Sequence, residues 1–265
     1  MTVDETDRTC ATGKPRALTP WPAPMRVLDV SFSKPAENLA YDELLLDDAE
    51  DGRGTDTLRI WECETKFVVL GVSQVLREHA RVEACASDGV RILRRCSAGG
   101  CVLQGPGCLN YSLVISHAHF PEIGTIRDSY CFVLNRLAAA LKEVGVTASH
   151  KGISDLAARG RKISGNAQRR RKRFMLHHGT LLYGMDPALM ERYLIEPADR
   201  PQYRGDRTHR AFVRSLPLDA AAVRAVFRRA FGAEVGADSI REDERDAIRT
   251  LVKEKYANPE WTARR

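Results

Sequence analysis

Residues 94–110 read RRCSAGGCVLQGPGCLN: two arginines ahead of a run of small residues, then two more glycines after a short apolar stretch. Glycine has no Cβ, so its backbone N–H can approach a ligand closely, and an arginine beside it offers a planar fork of donors to the same anion. Phosphate or carboxylate oxygens suit that combination. Spacing alone describes two ordinary tight turns equally well, and neither a Walker-type phosphate loop nor a dinucleotide fingerprint is present.

Two further segments carry candidate chemistry. In residues 154–168 (SDLAARGRKISGNAQ), Lys162 opens a strand of small and apolar residues instead of lying in the arginine run that follows. An ammonium held there can face a pocket and neutralise a carboxylate and a phosphate as they react, or it can face solvent on a flexible stem. Asp155 can hold Mg²⁺ or stabilise a turn. In residues 177–182 (HHGTLL), adjacent strand residues point to opposite faces, so His177 and His178 cannot share a pocket or a metal. One faces in and one faces out.

The seven cysteines include no CxxC pair and no zinc-ligand spacing to a histidine, and they read as reduced thiols. A net charge of +6 and a pI near 9.0 favour an acidic partner: nucleic acid, nucleotide phosphates or an acidic protein domain. Nucleic acid is disfavoured, because no helix-turn-helix, finger or RNP-type aromatic pattern accompanies the basic clusters at 169–173 and 200–229. No stretch approaches the roughly 20 apolar residues of a membrane span. The acidic, proline-containing start lacks the apolar run of a signal peptide, so a cytoplasmic location is expected.

The elements that must position these residues can be read from periodicity. Residues 1–24 lack it and are expected to form a flexible tail. Leu39, Leu44, Leu45 and Leu46 mark an amphipathic helix. Residues 58–61 and 66–72 read as two strands with a hairpin-like break. Residues 90–95 form another strand, which puts the glycine-rich turn between strands, and 130–145 a helix ending at Gly145. A meander follows, with the arginine run 169–173 at an exposed tip. Two helices, at 219–231 and about 239–256, close the chain. The order is α+β and not βαβ repetition, and the expected division is a tail (1–24), a catalytic domain (25–216) and a helical segment (217–265).

Taken together and in order, these blocks resemble the lipoate–protein ligase family of the biotin/lipoate ligase superfamily. Asn38-Leu39-Ala40, Trp61, Val69-Leu70-Gly71, residues 94–110, Ser154-Asp155-Leu156, 161–168 and 177–182 each match a family motif in turn. The resemblance covers residues 25–216. It implies a mixed, largely antiparallel sheet with flanking helices, of the class II synthetase-like kind, and an apolar tunnel for a lipoyl chain. It further implies ATP with Mg²⁺, lipoate as substrate, and transfer of the acyl group to a lysine of an acidic lipoyl-acceptor domain through a bound acyl-adenylate. Arg95, Ser97, Gly99, Gly100, Cys101, Val102 and Leu103 match adenylate-contacting positions. Lys162 matches the lysine that meets acyl and phosphoryl oxygens, and Asp155, Ala167, His178 and Thr180 line the site.

Three departures stand out. Ala98 replaces the first glycine of the usual triplet, Cys101 replaces a customary alanine, and the larger accessory domain of many ligases is absent, so a separate accessory protein is a possible requirement. The nearest rival is an octanoyl- or lipoyl-transferase that carries the acyl group on a cysteine, for which Cys101 or Cys108 would have to serve. Biotin ligation fits less well, because the Gly-Arg-Gly-Arg-type turn is missing. A non-catalytic binding module using the arginine run is the rival of a different class.

Overall fold

The computed structural model of the protein describes residues 21, 24–233 and 238–264. In chain order the elements begin with β1 (Arg26–Asp29), α1 (Pro35–Glu50), β2 (Thr57–Trp61), β3 (Phe67–Leu70), α2 (Leu76–His79), α3 (Val82–Ser87), β4 (Arg91–Arg94), β5 (Val102–Gln104) and β6 (Cys108–Ser116). There follow α4 (Ile126–Glu143), β7 (Ser149–Lys151), β8 (Asp155–Ala158), β9 (Arg161–Arg170) and β10 (Phe174–Leu182), and then α5 (Pro187–Tyr193), α6 (His209–Phe212), α7 (Ala220–Ala230), α8 (Glu242–Leu251) and α9 (Pro259–Ala263).

Two sheets form. The larger runs β1-β2-β6-β10-β9-β8-β7 and is antiparallel except for the β1/β2 pair. The smaller runs β4-β3-β5, with β3 parallel to β4 and antiparallel to β5. This is the mixed, largely antiparallel α+β architecture the sequence implied. The expected hairpin between β2 and β3 is absent, because these strands belong to different sheets: every residue of β2 is buried between β1 and β6, and every residue of β3 between β4 and β5. Residues 62–66 cross from one sheet to the other.

Helices α4 and α7 cover one face of the large sheet, where Leu134, Leu137 and Phe227 meet Leu113, Met175 and Tyr111. The Tyr111 and Phe227 rings lie 4.9 Å apart. Burying each such side chain contributes on the order of 2 kcal/mol, so α7, which the sequence reading assigned to a separate helical segment, packs as part of the main core. Trp21, placed by sequence in the tail, packs tilted against Phe120 with ring centroids 4.5 Å apart. Residues 1–20, 22 and 23 of the proposed tail lie outside the described residues.

The opposite face of the large sheet receives α1. Proline at its first turn suits the helix start, and no β-branched residue interrupts it. It is not amphipathic as expected, since Asp42, Glu43 and Asp48 are buried with its leucines. Each buried carboxylate has a cation: Arg59 for Asp42, Arg169 and Lys255 for Glu43, Arg53 for Asp48. Buried charges persist only when paired in this way. The small sheet packs beside α1 through Phe67, Val69 and Leu93, and its far side is closed by α5 and α6. Among the described residues no helix is long and apolar enough to cross a membrane.

Candidate active site

A cavity of about 120 Å³ opens between the α1-facing side of the large sheet and the edge of the small one. Strand register builds its walls. Thr180 lies opposite Asn110 and Gly165, and His178 opposite Ser112 and Ala167, so these six residues share one face in two adjacent rows. Gln104 Nε2 donates to Thr180 Oγ1 (3.0 Å), and that hydroxyl donates to Asn110 Oδ1 (2.8 Å), tying β5 to β10 and β6. Leu39, Trp61, Val69 and Val102 supply apolar lining.

The glycine-rich turn is not a hairpin, because β4 and β5 flank β3 and residues 95–101 pass over the end of that strand. The crossing is tight: a Cβ on Gly71 would lie 2.0 Å from the Gly99 carbonyl oxygen. Gly99 adopts φ +95°, whereas Ala98 has no positive φ, so the missing first glycine costs no backbone strain. Arg95 Nε donates to Ser97 Oγ (2.9 Å) and Nη2 to the Ala98 carbonyl (2.7 Å). Among the described residues no carboxylate comes within ion-pair distance of this guanidinium, which burial pulls down from the ordinary arginine range. A buried cation left without a counter-charge at a cavity wall can receive an anion.

Lys162 reaches the cavity through a register irregularity. Strict alternation would put it on the face opposite Gly165 and Ala167, but pairing slips between Leu156 and Ala157, which sends Ile163 into the core and Lys162 to the pocket. Its stem crosses Gly165, where a Cβ would lie 3.0 Å from both Cε and Nζ. Nζ is 2.7 Å from Asp155 Oδ1, and Tyr203 donates to Asp155 Oδ2 at 2.8 Å. Both carboxylate oxygens are thus committed, and the described residues contain no cluster of three metal-ligating side chains. In this structure Asp155 is engaged by Lys162 and Tyr203, and its carboxylate holds the Lys162 ammonium at the cavity.

The two histidines divide as alternation requires. His178 Nε2 lies 2.6 Å from Ser97 Oγ, and Nδ1 faces Asp42 Oδ2 at 3.6 Å. Burial works against the Asp42 charge, but Arg59 and His178 together hold its carboxyl below the usual range. His177 is fully buried on the other face, stacked 6.0 Å from Tyr111, and burial pushes its pKa down to about 3.

Of the residues singled out in the sequence, Arg95, Gly100, Cys101, Val102, Lys162, Ala167, His178 and Thr180 line one cavity. Ser97 and Gly99 sit in its turn, while Leu103 points away into the apolar cluster behind the small sheet. Sequence reasoning missed Asp42, Gln104, Asn110 and Tyr203. Asn110 belonged to a quoted motif, but nothing local marks Tyr203, which reaches the site from 48 positions away.

Cys63, Cys85, Cys96, Cys101 and Cys108 are free thiols. Cys101 alone of these lines the cavity, and burial raises its thiol to about 12. Cys108 is fully buried and its thiol raised further still by burial.

The chain is similar to the octanoyltransferase LipM of Carboxydothermus hydrogenoformans, with 31% identity over 265 residues, which covers 90% of this chain and 98% of that one. Among solved structures it resembles the bi-partite lipoate protein ligase of Thermoplasma acidophilum, solved in a study of that ligase and its E2 lipoyl domain (TM-score 0.77, 23% identity, 90% and 95% of the two chains). It also resembles a lipoate-protein ligase A bound with ATP (TM-score 0.78, 24% identity, 91% and 99%). These likenesses carry the fold. Residues 34–231, including all of the cavity lining, match the family model described as the lipoyl protein ligase A/B catalytic domain, and the chain belongs to that family.

Proposed function

We propose that this protein is an ATP-dependent lipoate–protein ligase of the cytoplasm. Arg95 carries the reading: a buried cation with no carboxylate partner among the described residues, beside a backbone turn and on the same cavity that Lys162 enters. Two cations converging on a cavity lined in part by Leu39, Trp61, Val69 and Val102 match a substrate with an aliphatic tail and a carboxylate that meets phosphate. In the first step a lipoate carboxylate oxygen attacks the α-phosphorus of ATP, and pyrophosphate leaves. In the second the acceptor lysine's amine attacks the acyl carbon, AMP leaves, and an amide forms. Lys162, fixed by Asp155, offsets the charge that builds on the acyl and phosphoryl oxygens, and Arg95 holds the phosphate. Mg²⁺ would arrive with ATP's own phosphates. Similarity to a ligase studied with its E2 lipoyl domain supports a lipoyl-acceptor domain as partner.

A second reading, an octanoyl- or lipoyl-transferase using a thioester, is favoured by the full-length similarity to LipM. It requires a reactive thiol. A thiol raised to about 12 is almost wholly protonated at neutral pH, and the thiolate is the nucleophile. Cys101 is therefore poorly prepared for that role. The deciding experiment is ATP–pyrophosphate exchange dependent on lipoate, with octanoate and biotin compared, alongside mass analysis for an acyl adduct on Cys101. Exchange without an adduct, retained in Cys101→Ala and Cys108→Ala, is expected. An adduct with no exchange would overturn the ligase reading in favour of the transferase.

A further inference from the structure

Behind the glycine-rich turn, on the side away from the cavity, a second set of contacts converges on Arg94. Consecutive residues at a strand end point to opposite sides. Arg95 faces the cavity, and Arg94 faces back, where it is fully buried. Its Nη1 donates to the carbonyls of Gly71 (2.9 Å) and Gln74 (2.7 Å), and its Nη2 to the carbonyl of Thr262 (2.7 Å). The Trp261 indole Nε1 donates to the Arg94 carbonyl at 2.8 Å. The peptide that carries Arg95 is therefore gripped through both the side chain and the carbonyl of the residue before it.

The gripping segment is itself anchored. A π-helical turn (Val252–Tyr256) between α8 and α9 brings Lys255 Nζ and Tyr256 OH onto the buried Glu43 of α1, at 2.6 and 2.8 Å from Oε2. Single π turns commonly mark functional positions in helices. The Trp261 ring is held between two cations, with Lys255 Nζ 4.2 Å and Arg264 Cζ 4.1 Å from its centroid. Arg264 also donates to the Val72 carbonyl at 2.9 Å. Segment 252–264 thus braces α1, the 71–74 loop and the end of β4 together, and all three border the anion-binding turn.

We propose that Trp261 is a positioning residue for the reaction: it holds residues 94–101 in the shape that presents Arg95 and the turn's backbone to the nucleotide. The inference rests on the anion-binding role proposed above for that turn. Trp261 is not among the residues lining the cavity, and its hydrogen bond to the turn goes to the Arg94 carbonyl. Its loss should therefore weaken nucleotide binding and leave the acyl-chain subsite intact.

Trp261→Phe keeps an aromatic ring between the two cations and removes only the indole donor, and Trp261→Ala removes both. Two measurements are needed. Hydrogen–deuterium exchange of the unliganded protein should speed up at 94–101 and 71–75 in Trp261→Phe, with α4, α7 and the centre of the large sheet unchanged. In lipoate-dependent pyrophosphate exchange the KM for ATP should rise about fivefold, the consequence of one lost hydrogen bond, while the KM for lipoate stays within about twofold. If exchange rises uniformly, or the turn stays as protected as in the parent, Trp261 is an ordinary packing residue and the inference falls. The exchange measurement requires no catalysis, so it decides the positioning role even if the parent protein shows no ATP-dependent activity and the proposed function fails. Should Trp261→Ala not fold, Trp261→Phe carries the test alone.

Discussion

Ser97 Oγ lies 2.6 Å from His178 Nε2, and this contact joins the glycine-rich turn over the small sheet to the central strand β10 of the large one. The Ser97 hydroxyl already accepts from Arg95 Nε, so its own proton is free to go to His178 Nε2, leaving Nδ1–H directed toward Asp42. One serine therefore orients both the cavity-wall arginine and the pocket histidine. Ser97→Ala leaves both buried partners short of a hydrogen bond, which costs about 1–3 kcal/mol of stability. The KM for ATP should rise with it. Denaturant unfolding and steady-state kinetics together check this, and a destabilised variant with the parental KM would show that the turn is held by its other contacts.

Lys162→Ala should sharply slow acyl-adenylate formation and leave the fold intact, because the side chain lies at a cavity wall and its removal opens no core void. Loss of one positioned cation at a phosphate site costs about 3 kcal/mol of transition-state stabilisation, on the order of a hundredfold in rate. Tyr203→Phe removes the second support of Asp155 while keeping the ring against Phe212. A smaller loss, in kcat more than in KM, is expected there. Parental pyrophosphate exchange in Lys162→Ala would remove this lysine from the mechanism.

Gly165→Ala tests the path of the lysine stem. An added Cβ would crowd Cε and Nζ at 3.0 Å, and the far end of a flexible side chain can give way cheaply. Thermal stability should hardly change. The ammonium, however, would leave its place beside Asp155, and catalysis is sensitive to misplacement on the scale of an ångström. The expected result is a rate loss without a change in thermal midpoint, and an active, equally stable variant would show that Nζ has room to spare.

The legible and illegible parts of this site differ in physical kind. Alternation placed His177 and His178 on opposite faces correctly, because β10 runs nine residues without a bulge. The same rule applied to β9 would have turned Lys162 into the core, since the slip opposite Leu156 and Ala157 leaves no mark in residue types. Glycine spacing announced a turn but not that it crosses β3, a matter of which strands pair. The tyrosine and tryptophan that brace the site, Tyr203 and Trp261, act from 48 and 167 positions away. Only the folded sheet brings them into range.

Acid stability should report on His177. Its pKa is pushed by burial from the ordinary value to about 3, so the folded protein keeps it neutral where the unfolded chain takes up a proton. Its neutral form is compatible with the fold throughout the range above the unfolded value near 6.5. Between about pH 6.5 and pH 3 the unfolded state binds one more proton, and stability falls by up to about 1.4 kcal/mol per pH unit from this group alone. His177→Phe cannot take up that proton. Plotted against pH over that window, the unfolding free energy of the variant should therefore decline less steeply than the parent's, and parallel curves would show that the imidazole is protonated in the fold.

The arginine run 169–173, expected to form an exposed basic tip, is split by the structure. Arg169 pairs with buried Glu43 at 2.5 Å, and Arg170 donates to the carbonyls of Ile123 and Gly124. Only residues 171–173 form the exposed turn, and there Arg171 meets Asp47 at 2.6 Å and the backbone N–H of Arg173 meets Glu50. Exposed pairs contribute about 0–1 kcal/mol, so Arg171→Ser with Lys172→Ser should leave stability and pyrophosphate exchange nearly unchanged. Steering of an acidic acceptor domain by these charges would appear as slower transfer at low ionic strength, fading as the Debye length shortens toward about 8 Å at physiological salt. Arg169→Ser should behave differently: it removes one of the two cations on a carboxylate that α1 holds inside the protein, and it lies in the hydrogen-bonded layer that also includes the Cys96 carbonyl. Stability and exchange are expected to fall together in that variant. Equal transfer rates at low and high salt in the double serine variant and its parent would reduce the turn to a solvated surface.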